Sequence, residues 1–125
     1  MVIAAWIAAA LIVVLTVFQL ALALGAPAGA AAWGGSHPGV LPTRLRVASG
    51  FVAVFFYPVV AMELLYVADV VDFGWDVSQL WIWVLAGLFV LGALANFASR
   101  SRIERIWGPV SLVLAVCCAV IAVEM

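Results

Sequence analysis

Asn96-Phe-Ala-Ser-Arg-Ser-Arg-Ile-Glu-Arg-Ile-Trp-Gly-Pro109 lies between two long apolar runs and holds three of the chain's five basic side chains. The other two, Arg44 and Arg46, stand at the head of another apolar run, and there is no lysine. In membrane proteins basic residues collect on the cytoplasmic side and set the orientation of the spans. Whether these two basic sites share one face of a bilayer therefore decides the topology.

The premise of a bilayer comes from composition. The 125 residues are 70% hydrophobic and 9% charged, with a mean hydropathy of +1.35. A soluble domain carries roughly a quarter charged residues. So few charges cannot cover a water-facing surface, and lipid is the expected solvent for most side chains. The length suits one domain. With arginines that are few and short-range, a nucleic-acid partner is not expected.

About 20 consecutive apolar residues cross the hydrocarbon as a helix. Residues 2–24 form such a run, uncharged and without the basic flank of a cleavable signal, so a retained helix is expected. Residues 25–43 are rich in glycine and proline and hold Trp33, which reads as an interfacial loop with a helical turn at Ala30 to Trp33. The second span runs over about 45–68, with a kink expected at Pro58. Asp69, Asp72 and Asp76 mark its exit into water. A third span covers about 79–98. Ser101-Arg-Ile-Glu104 has the spacing of a capping box, which starts the fourth span at 101 and runs it to 124, with Pro109 kinking its first turns.

Four spans place all five arginines on one side, with Glu104 their only acidic companion. Three spans would divide them. The expected fold is therefore an all-α integral membrane four-helix bundle, N-out and C-out, in the cell membrane. The tryptophans divide in the same way: Trp6, Trp75, Trp81 and Trp83 belong to an outer belt, Trp33 and Trp107 to an inner one. Small-residue ridges at Ala5 and Ala9, at Gly92 and Asn96, and at Ser111, Ala115 and Ala119 suit close helix packing.

Candidate sites are few. Glu63 is the one ionisable residue well inside a span, and such residues are rare and often functional. It reads either as a proton-transport switch bonded to Tyr66 or as a carboxylate high enough to reach interfacial water, about 9 Å along the helix from Asp69. Gln19, Ser49, Asn96 and Ser111 fall at similar depth near the inner ends of four helices. They read either as an interhelical hydrogen-bond layer or as the floor of a vestibule beneath the arginines. Arg44, Arg46, Arg100, Arg102 and Arg105 determine topology and can also bind anionic lipid head groups. His37 lies in Ser-His-Pro-Gly and reads as a turn residue, not a metal or haem ligand. Cys117 and Cys118 are adjacent in an apolar run and read as small buried residues without a mutual disulfide. No catalytic residue, metal site or cofactor is expected.

Gly25-Ala-Pro27, the stretch Ala32-Trp33 to Arg46, and Asn96 to Pro109 together resemble a group of small four-helix bacterial membrane proteins common in actinobacteria. The resemblance implies a membrane location and brings no activity. The small multidrug exporters carry a glutamate in their first span, and the first span here has no acid. The function expected is a non-catalytic membrane component, either a homo-oligomer or an accessory subunit of a larger membrane complex. The alternative is a small proton-coupled transporter or channel using Glu63 and the inner polar layer.

Overall fold

In hydrocarbon each backbone amide must find its partner within its own segment, which leaves the helix as the fold of an isolated apolar run. The computed structural model describes residues 1–125 and has no strands. Its four helices, α1 (Val2–Ala23), α2 (Thr43–Val67), α3 (Gln79–Phe97) and α4 (Glu104–Glu124), are each long and apolar enough to cross a membrane. The Met1 amino group and the Glu124 carboxylate meet at 2.6 Å, so α1 begins where α4 ends. The opposite end of the bundle, the arginine end, gathers the α1–α2 loop and the α3–α4 loop.

α1 and α4 pack together at the centre, α2 packs mainly on α1, and α3 packs on α4. The backbones of α2 and α3 stand apart, and side chains bridge them. The main cluster of buried apolar side chains runs from Ala5, Leu64, Ile82 and Ile121 near the terminal end to Leu15, Phe89 and Leu114. The small-residue ridges serve this packing inside the chain. Ala5 and Ala115 are buried, and a Cβ at Gly92 would sit 3.5 Å from the Ser111 hydroxyl, which lets α3 and α4 approach closely.

The two prolines are accommodated in different ways. Pro58 has no amide hydrogen, and its ring crowds the carbonyl four residues back. α2 absorbs this as a π-helical turn at Val52–Phe56, in which the Tyr57 amide reaches the Val52 carbonyl. Pro109 lies in the first regular turn of α4, which begins at Trp107 after a 3-10 turn at Glu104–Ile106. There a missing amide costs no helical bond.

The helix start expected at Ser101 is also corrected. The capping box does not form, because both of its side chains reach across to the other loop. The Ser101 hydroxyl donates to the Ala30 carbonyl, and Glu104 accepts from the Gly34 amide at 3.2 Å. The α1–α2 loop holds two 3-10 turns, Gly29–Ala31 and Trp33–Gly35, where one turn was expected.

Candidate functional site

The two loops of the arginine end interlock because glycine removes the atoms that would keep them apart. A Cβ on Gly29 would lie 2.0 Å from the His37 carbonyl oxygen, and one on Gly35 would lie 2.5 Å from the Ser101 Cβ. Gly29 N–H closes its own loop by donating to the Gly39 carbonyl at 2.8 Å. Trp107 Nε1 then donates to the Ala31 carbonyl at 3.0 Å, and Trp33 Nε1 to the Ser49 hydroxyl at 2.9 Å. The result is a cap tied to α2 and α4 by two indoles.

Glu104 sits beneath this cap and is 7% exposed. Its Oε1 accepts from the Gly34 amide, and its Oε2 accepts from the Ser99 hydroxyl at 3.1 Å. The chain's one ion pair is Met1 with Glu124, so no arginine pairs with Glu104 although five lie at its end of the molecule. A buried carboxylate without a cation is costly unless hydrogen bonds or a ligand compensate it.

Under the cap lies a cavity of about 150 Å³ to which all four helices contribute. α1 supplies Phe18 and Gln19, α2 supplies Tyr57, α3 supplies Asn96, and α4 supplies Glu104, Trp107 and Ser111. The cap adds Ala31 to Trp33. The π-helical turn that precedes Pro58 is the element that carries Tyr57 to this position. Phe18 packs against Trp107 with ring centroids 4.7 Å apart, which anchors one wall. Gln19 Oε1 is buried and has no hydrogen-bond partner. The Asn96 amide group donates to the Gly92 carbonyl at 2.8 Å, and its own oxygen accepts no hydrogen bond from the protein.

Three members of the inner polar layer, Gln19, Asn96 and Ser111, therefore share one cavity without bonding one another. Ser49 is fully buried beside it as the acceptor for Trp33. Glu104 was legible in the sequence only as a helix cap. The signal for its role is that it is the sole acid among five arginines, and that signal cannot show which partner it takes.

Glu63 and Tyr66 are not part of this site. Glu63 Oε2 accepts from Trp81 Nε1 at 2.8 Å, bridging α2 and α3 toward the terminal end. Tyr66 instead stacks on Phe73 at 5.0 Å. Glu63 lines no cavity, and the apolar core lies between it and the arginine end. Tryptophans 33, 81 and 107, which the sequence assigns to interfacial belts, all direct their indole N–H to acceptors within the chain.

The arginines divide by use. Arg46 Nε donates to the Ala23 carbonyl at 3.1 Å and so caps the C-terminus of α1, where a cation is favoured. Arg105 Nε donates to the Ser99 carbonyl at 2.7 Å. Arg44, Arg100 and Arg102 are exposed at the same end. His37 is a loop residue whose ring lies 3.2 Å from the Ser36 hydroxyl. Cys117 and Cys118 are free and buried.

Comparison with protein-family models, with characterised proteins and with solved structures gives no match. The fold itself defines the class: a multi-pass helical membrane protein with a capped polar cavity at one end.

Proposed function

We propose that this chain is a non-catalytic component of the cell membrane, working as a homo-oligomer or as an accessory subunit of a larger membrane complex. Its arginine end faces the cytoplasm, as the positive-inside rule requires, and both termini face out. The observation that carries this reading is α3. It packs on α4 and leaves an outward strip of Leu80, Val84, Gly87, Leu91 and Ala95 exposed. Gly87, at the centre of that strip, has open space where a side chain would project. A glycine on such a face lets a second helix approach closely, and close packing is what joins helices in lipid.

The alternative, a proton-coupled transporter or channel, needs a polar path from Glu63 to the inner layer. Glu63 lies outside every cavity, so this reading has less support. The test is a cysteine at position 87 in a variant with Cys117 and Cys118 replaced by alanine, oxidised in native membranes. Cross-linked dimers, or a disulfide to a co-purifying membrane subunit, are expected. A strictly monomeric protein in mild detergent, with no cross-link at 87 or at the neighbouring positions 84 and 91, overturns the proposal.

A further inference from the structure

We propose that the capped cavity at the arginine end is a recognition site for a small alkylammonium group. The charge argument comes first. Glu104 brings a formal negative charge into a site where it is 7% exposed and no guanidinium pairs with it. Each carboxylate oxygen has one protein donor, and each retains a lone pair for another.

The remaining polar groups add acceptors. Gln19 Oε1 is buried without a partner, and a buried acceptor left unmade costs on the order of 1–3 kcal/mol. Asn96 donates through Nδ2 to the Gly92 carbonyl, and its Oδ1 accepts no hydrogen bond from the protein. The walls are aromatic. Trp33 and Trp107 have both indole N–H groups committed to protein acceptors, so they offer the cavity ring carbon. Carboxylate, carbonyl oxygens and aromatic rings together are what an ammonium ion seeks, the rings through their negative faces.

Size limits the ligand. A cavity of about 150 Å³ is the volume class that accommodates one benzene-sized molecule. That admits a headgroup of about six heavy atoms and excludes a drug-sized molecule, which needs roughly 300 Å³ or more. The chemistry has two sources, a free small amine or the ethanolamine head of an aminophospholipid. The exposed Arg44, Arg100 and Arg102 at the same end are suited to the phosphate of the second.

The test uses the full chain in lipid-free mild detergent, with tryptophan fluorescence as the readout. tert-Butylammonium chloride is titrated against tert-butanol, its neutral counterpart of the same size, at constant ionic strength held with potassium chloride. The ammonium is expected to bind at least tenfold more tightly. Glu104→Gln is expected to abolish that preference, and Glu63→Gln to leave it intact. Equal binding of the two probes, binding unaffected by Glu104→Gln, or no binding of either (a cavity that holds water only) overturns the proposal. Because the two probes are compared on the wild-type chain, a Glu104→Gln protein that fails to fold leaves the test in force. Native mass spectrometry from nanodiscs with and without phosphatidylethanolamine then separates the sources. Retention of that lipid, displaced by tert-butylammonium, assigns the lipid head, and binding of the free amine without lipid retention assigns a soluble ligand.

Discussion

The indole Nε1–H of Trp81 on α3 donates to Oε2 of Glu63 on α2 across 2.8 Å. α2 and α3 have no close backbone packing, so this bond is one of the side-chain ties that hold them together. It gives Glu63, the one acid away from the ends of a span, a structural partner that does not depend on a proton relay.

Substitutions at the pair follow from that. Glu63→Gln keeps a carbonyl oxygen for the indole, so stability is expected to change by less than about 1 kcal/mol. Glu63→Leu leaves the indole N–H unpaired and is expected to cost about 1–3 kcal/mol. Denaturant unfolding in mild detergent measures both. A double-mutant cycle with Trp81→Phe is expected to show a favourable coupling, and additive losses would show that the bond does not stabilise the bundle.

The cap makes a separate prediction through two glycines. Gly34 has φ +82° and nothing within 4 Å of an added Cβ, so Gly34→Ala carries only the left-handed backbone cost, about 1–2 kcal/mol. Gly29 has its missing Cβ position filled by the His37 and Gly39 carbonyl oxygens at 2.0 and 2.7 Å. Gly29→Ala must therefore open the loop. Limited proteolysis between residues 25 and 42 is expected to be faster in Gly29→Ala than in Gly34→Ala, and the reverse order would contradict the interlocked cap.

Topology is testable without touching the arginines. Cysteines placed at Ser36, Ile103 and Asp72, in a chain lacking the native pair, are labelled with an impermeant maleimide. Positions 36 and 103 are expected to react only from the cytoplasmic side and position 72 only from the other. Labelling of 36 and 103 from opposite sides would dismantle the four-span arrangement.

The native cysteines serve as a probe of packing. Cys117 lines a groove between α1 and α4, whereas Cys118 is fully buried, so in a Cys117→Ala chain the remaining thiol is out of reach of attack in the folded state. Alkylation is expected to proceed at the rate of unfolding, at least a hundredfold slower than in sodium dodecyl sulfate. Rapid labelling of Cys118 in the folded protein would show that the core around it opens.

Four apolar runs and the segregation of arginine from aspartate are legible in the sequence because hydropathy and charge act locally. Each run of about 20 apolar residues must become a helix in lipid whatever its neighbours do. The polar layer was legible for the same reason, since depth along a helix follows from residue count. What the layer does was not. Ser49 becomes the acceptor for Trp33, and Gln19 lines a cavity with Asn96 and Ser111, only because the loops fold over the bundle end. Ser101-Arg-Ile-Glu104 shows the limit clearly. Its spacing favours a local cap, yet Glu104 bonds Gly34, 70 positions away, and Ser101 bonds Ala30. A short-range motif competes there with long-range partners that exist only after the helices have assembled. The sequence by itself determined the helices and their grouping by charge; the tertiary structure decided which polar groups meet, because hydrogen bonds require contact and contact between distant segments is a property of the closed fold.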